Sequence, residues 1–223
     1  MSSLGSDWDM GQEVIDLFGK TVPDKVDFCW GASRIKDERT IVFDLGYIDR
    51  AWTAFEKTGN YYQVGIGRLN WIPKGCPRDR ADRLPQQVEP WRPFGNFDLI
   101  CGQVAMDAQH NLTQEELMAY YHTRVWNREA MWRPHPQAEA TPPTWPEYRG
   151  DPFSEDIHRM VVYNSTIGLE ATLKGMRVDS HPSAFYHRAV DRQQLLNNVA
   201  YAQWTEEEIA SGETWAFLEQ FLT

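Results

Sequence analysis

The chain has 223 residues, 42% of them apolar and 24% charged, with a net charge of −10. This composition excludes a disordered chain, and no window approaches the roughly 18 consecutive apolar residues of a membrane-crossing helix. The acidic balance argues against non-specific binding to nucleic acid or to an anionic membrane surface.

The amino-terminal stretch MSSLGSDWDMGQEV has no basic region followed by an apolar run, so no secretory signal is expected. The three cysteines, Cys29, Cys76 and Cys101, are an odd number without CxxC spacing. They point to a reducing, intracellular compartment, cytoplasm or organelle matrix, and to folding without disulfides.

Met10, Val14, Leu17 and Phe18 recur at helical spacing and predict a first helix that stops at Gly19. Alternation over Val26–Trp30 and again over Thr40–Tyr47 predicts two strands, joined as a hairpin across the charged stretch at Lys36–Arg39. A helix is expected over Ile48–Lys57, a strand over Tyr61–Trp71 and another over Phe97–Met106. Thr113 with Glu116 has the capping-box spacing, and Leu112 with Leu117 matches a hydrophobic staple. After Ser154 the pattern fits either a helix through Ile157, Val161 and Ala171 or a strand at Met160–Tyr163. Asp191 with Gln194 and Thr205 with Glu208 open two further helices, the second broken at Ser211–Gly212. The order predicts one α+β domain over 1–223: a small antiparallel or mixed sheet packed with helices, and a helical carboxyl-terminal third.

Two long segments, 72–94 and 133–152, interrupt this pattern. Both are rich in Pro and Trp and are expected to be extended and irregular, because Pro removes a donor and resists helix and central strand alike. The first carries five basic residues against three acidic ones. Trp and Arg are enriched where protein surfaces meet, and here Arg outnumbers Lys sixteen to six. Trp71, Trp91, Arg92, Trp132, Trp145 and Tyr148 are therefore the candidate interface anchors.

Familiar chemistry is missing. Gly65-Ile66-Gly67 lacks the third glycine and the following helix of a dinucleotide fingerprint, and close backbone packing in a strand explains it better. Walker A, G-x-S-x-G and H-E-x-x-H motifs do not occur. Six histidines, at 110, 122, 135, 158, 181 and 187, include no pair at i, i+4, so neither a metal nor another cofactor is expected. Lys74 and Arg78 surround Cys76 with positive charge in a loop, which would favour its thiolate. The leading expectation is an accessory subunit that docks on other protein subunits through its Trp/Arg/Pro-rich segments, without nucleic acid and without inserting into a membrane. The alternatives are an enzyme acting on a small apolar or aromatic molecule in a Trp/Tyr-lined pocket, and an acidic inhibitor or immunity-type protein.

Overall fold

The structure, a computed structural model, describes residues 6–51, 58–107, 109–125, 129–136 and 144–222. Its helices are α1 (Ser6–Gly19), α2 (Gln114–Arg124), α3 (Ile167–Leu173), α4 (Arg192–Ala200), α5 (Glu206–Ala210) and α6 (Glu213–Leu218). Its strands are β1 (Phe28–Trp30), β2 (Ile41–Leu45), β3 (Tyr61–Ile66), β4 (Phe97–Cys101), β5 (Ala130–Arg133), β6 (Ile157–Val161), β7 (Val178–Asp179) and β8 (Gln203–Thr205). Helices pack on two sheets, and the class is α+β as the residue pattern implies. No helix among the described residues is long and apolar enough to cross a membrane. Met1–Pro85 with Asn197–Thr223 forms one compact unit and Gln86–Leu196 another.

The first unit holds a mixed sheet in the order β1-β2-β3-β8. Val14 and Phe18 of α1 are fully buried against it, with the Phe18 ring edge-on to Phe28 and Phe43 at 5.4 and 4.9 Å. The expected hairpin is corrected: β1 and β2 pair in parallel, Phe28 opposite Ile41. The stretch between them contains a short 3-10 turn, Ala32–Arg34, after Gly31 at φ 76°. It carries the chain back to the start of β1, where the Ile41 N–H donates to Asp27 O at 2.9 Å. β3 is shorter than expected because Gly67 at φ +67° turns the chain out of the sheet. Residues 48–51 are turn and bridge; the rest of the helix expected there, 52–57, lies outside the described residues. The Thr205–Glu208 capping box forms as read, and Gly212 at φ 86° separates α5 from α6.

Part of the first irregular segment is pinned inside this unit by Arg80. Its guanidinium is buried, donates to Ala200 O and Gln203 O at 2.9 and 3.0 Å, and takes both oxygens of Glu208 at 2.6 and 2.9 Å. It also lies 3.8 Å over the Trp204 ring.

The second unit is built on a sheet whose strands are all parallel, in the order β5-β4-β6-β7. Strands of such a sheet are covered on both faces and read as unbroken apolar runs; every residue of β4 is buried. Leu117 and Tyr121 of α2 pack over Ile100 and Val161. The Thr113–Glu116 capping box that starts α2 is present in both its bonds. The ambiguous stretch after Ser154 is both things in turn, the strand β6 and then the helix α3.

All three cysteines are free. Melting of the protein is therefore expected to be unchanged by reductant, and a fall in Tm on reduction, followed by circular dichroism, would contradict the fold described.

Candidate functional site

In the second unit the chain runs from β4 through α2 to β5 on one side, then returns to place β6 on the other side of β4. Connections therefore leave the carboxyl ends of β4 and β6 in opposite directions. Open α/β sheets bind ligands in the crevice that such a reversal creates.

Four loops meet along this carboxyl edge. Gln103 lies two residues beyond β4, His135 two beyond β5, Tyr163–Thr166 follow β6, and Ser180 and His181 follow β7. The Gln103 side chain ties two of these loops together. Its Oε1 accepts from the backbone N–H groups of Tyr163, Asn164 and Ser165 at 3.0, 2.8 and 3.2 Å, and its Nε2 donates to Asn164 Oδ1 at 2.7 Å. Three successive N–H groups form an electropositive hollow, and the Gln103 oxygen fills it. Below it, Gly168 leaves room for Tyr186: a Cβ there would lie 2.5 Å from the phenolic oxygen, which donates to Ser165 O.

His181 stacks on the Tyr163 ring at 4.3 Å and 12°. Tyr120 meets both rings edge-on at 5.1 and 5.9 Å, and His110 meets Tyr163 at 5.6 Å. Burial holds the His181 imidazole below its ordinary pKa, with Arg124 and His187 adding to the effect. Burial lowers His110 as well, against an opposing pull from Asp107, and pushes the Tyr120 phenol up to about 12. At neutral pH these groups are uncharged donors and acceptors rather than ions. Ser180 Oγ lies 3.1 Å from His187 Nδ1.

The six anchors expected from sequence lie elsewhere and do not form one patch. Trp71 is half-buried in the first unit, edge-on to Phe221 at 5.1 Å. Trp132 is buried, and Trp145 packs between it and His122 at 6.4 and 4.4 Å. Trp132 N–H donates to Pro146 O and Tyr148 N–H to Trp132 O, at 2.8 and 2.7 Å, so 146–148 runs beside β5. Tyr148 also packs against Phe97 at 5.4 Å. Arg92 donates to Phe153 O and pairs with Glu89 at 3.4 Å. Of the six, only Trp91 is largely exposed, at 58%, with Arg192 3.9 Å from its ring. Trp145→Ala is thus expected to cost about 2 kcal/mol of stability, below the value for a fully buried Trp. Trp91→Ala should cost about 0.5–1 kcal/mol, the worth of its cation–π contact. Urea unfolding of the two variants checks the order; equal losses would contradict it.

Cys76 is also corrected. It is buried, and its thiol is pushed up to about 11 by that burial and by Asp79, the reverse of an activated nucleophile. The histidines weighed as ligands separate: His158 stacks on Phe94 at 4.9 Å, whereas His181 and His187 lie beyond β7. Among the described residues no three His, Cys, Asp or Glu side chains form a cation-holding group.

The fold and this edge define the class: an α+β chain whose second unit is built on a four-stranded parallel sheet with its topological switch point between β4 and β6. No protein-family model matches the chain, and no curated protein does. Solved structures do. The β-Kdo 2,7-transferase chain of KpsC from Thermosulfurimonas dismutans aligns over 94% of this chain and 96% of its own, at TM-score 0.54 and 16% identity. The β-Kdo 2,4-transferase chain of the same KpsC aligns over 74% of this chain and 71% of its own, at TM-score 0.47 and 16% identity. At this identity the likeness is one of fold. It counts against the expectation of an accessory interaction subunit, because the chain described as a transferase shares this fold over 94% of the present chain. An enzyme acting on a small molecule, the first alternative, fits the finding better.

Proposed function

We propose that the chain is a glycosyltransferase that binds a nucleotide-activated sugar at the carboxyl edge of its parallel sheet and passes the sugar to a hydroxyl acceptor. Loops at one edge of the parallel sheet bear Gln103, Tyr163–Thr166, His135 and His181, with Gln103 bonded to the Tyr163–Ser165 backbone and His181 stacked on Tyr163, and this supports the reading. Glycosyl transfer breaks the bond between the anomeric carbon and a phosphate oxygen and forms one to the acceptor oxygen. The acceptor loses a proton, and negative charge grows on the departing phosphate. Preorganised donors aimed at that charge are the main lever available to a protein. Here they are the Ser165 and Thr166 hydroxyls and the imidazoles of His135 and His181, while the N–H groups of Tyr163–Ser165 hold the loop through Gln103. The neighbouring fold belongs to a β-Kdo transferase, so an activated Kdo is the first donor to test.

Calorimetric titration with nucleoside monophosphates and diphosphates is the first test. Saturable binding to the native protein, weakened at least about tenfold in Ser165→Ala, supports the reading. Native protein that binds none of the common nucleotides would overturn it.

A further inference from the structure

Three bonds hold the backbone of Ser165, and none of them uses its side chain. Its N–H donates to Gln103 Oε1 at 3.2 Å. Its carbonyl oxygen accepts from the Gly168 N–H at 3.0 Å and from the Tyr186 phenol at 2.5 Å. The residue is half-buried, and among the described residues no group bonds its hydroxyl. The peptide groups on both sides of Ser165 are thus fixed while its Oγ keeps its bonding capacity.

Tyr186 belongs to the connection between β7 and α4, so its bond joins that loop to the one after β6. The tyrosine is only 1% exposed. Burial pushes its phenol well above the ordinary tyrosine range, so it stays a donor. Gly168 lies in the first turn of α3, and its φ is not positive, so the backbone itself does not call for glycine. The space does: an added Cβ would lie 2.5 Å from the phenolic oxygen and 2.7 Å from two ring carbons. A glycine weakens a helix, and here it admits one hydroxyl. The Ser165 carbonyl already has the Gly168 N–H as a partner. A carbonyl oxygen accepts two bonds, and the second one, from Tyr186, fixes the direction of the group.

We propose that Tyr186, seated by Gly168, is a positioning residue: by holding the Ser165 carbonyl it aims the Ser165 hydroxyl at a phosphate bound on the carboxyl edge. The role rests on that edge being the site of the activated sugar. Gln103 grips the N–H side of Ser165 and Tyr186 the carbonyl side. With the backbone held, only the side-chain rotamer and the hydroxyl rotor remain to be ordered when a ligand arrives. Ordering fewer groups on binding leaves more of each contact as affinity.

The test is a double-mutant cycle on the full chain, with nucleoside monophosphates and diphosphates titrated by calorimetry and near-ultraviolet circular dichroism confirming folding. Tyr186→Phe keeps the ring and removes only the bond to Ser165. It should raise Kd at least about fivefold. In a Ser165→Ala background the same change should move Kd by less than about twofold, because the hydroxyl that Tyr186 aims is gone. Gly168→Ala, whose methyl displaces the phenol, should weaken binding as Tyr186→Phe does. A tyrosine that only stabilises the fold would lower Tm and leave the Kd of the folded variant unchanged. That result would overturn the proposal, as would an equal loss of affinity with and without the Ser165 hydroxyl. Native protein that binds no nucleotide removes the glycosyltransferase reading and this role together. Native binding that Tyr186→Phe matches removes this role alone.

Discussion

Arg80→Ala is expected to lower the unfolding free energy by about 3–5 kcal/mol, the cost of breaking a buried ion pair by removing one partner. Arg80 and Glu208 side chains are only 8% and 16% exposed. The variant would leave the Glu208 carboxylate without its bidentate partner, Ala200 O and Gln203 O without a donor, and the Trp204 face uncovered. The pH dependence gives a second readout. Burial pushes the Glu208 carboxyl up, but its bonds from Arg80 and Thr205 outweigh burial and the net direction is down. A carboxyl whose folded pKa is depressed adds stability above its unfolded pKa, and that stability is lost as pH falls through the folded value. In Arg80→Ala the pull from Arg80 is gone and only the Thr205 bonds oppose burial, so less of this stability remains to be lost and the gap from native narrows on acidification. Urea unfolding at neutral and acidic pH measures both effects. Arg80→Met combined with Glu208→Leu should recover much of the loss, since an apolar pair of similar volume removes the stranded charge.

Gln103→Leu should be the most damaging single change at the candidate site. It leaves three successive N–H donors without their acceptor, and even with partial access to water a loss of about 2–3 kcal/mol is expected. Gln103→Glu separates structure from function. A carboxylate accepts the same three bonds with charge assistance, and Asn164 can turn its amide to donate. Stability should therefore be kept within about 1 kcal/mol of native. A fixed negative charge in the crevice should nevertheless weaken binding of an anionic donor by at least about tenfold. If Gln103→Glu binds nucleotides as the native protein does, the anionic ligand site lies elsewhere.

The legible parts of the fold were those set by neighbours in sequence. The capping boxes at Thr113–Glu116 and Thr205–Glu208 need only four residues, and both formed as read. Pairing direction is a long-range property. Nothing local distinguishes a hairpin from the parallel β1–β2 pair, whose connection folds back through a 3-10 turn. β5, β7 and β8 are two to four residues long, too short to show alternation. The all-parallel sheet was hidden for a related reason: its strands are buried on both faces and carry Asp98, His158 and Arg159 among their apolar residues, so no alternation marks them.

The candidate site was invisible for another reason. Gln103, His135, Ser165 and His181 are single residues on four loops, and only the crossover topology brings them to one edge. One local signal did exist. Met160–Val162 is an apolar run, followed by the polar Asn164-Ser165-Thr166 and by Gly168, a strand, turn and close-packed helix in order. His135 sits between two prolines in a stretch whose tryptophans drew the interface reading. Those tryptophans are explained by packing. Trp132 and Trp145 cover the edge of their own sheet, where the backbone of 146–148 finds its partners in β5.

Transfer itself is the most direct measurement. The protein would be incubated with an activated Kdo and a panel of hydroxyl acceptors, with nucleotide release followed by chromatography and acceptor mass by mass spectrometry. The account predicts nucleotide release matched by the gain of one sugar per acceptor. It also predicts rates at least about 100-fold lower in His135→Ala and Ser165→Ala with their melting unchanged. Folded native protein that releases no nucleotide and transfers nothing from Kdo or any other activated sugar would contradict it.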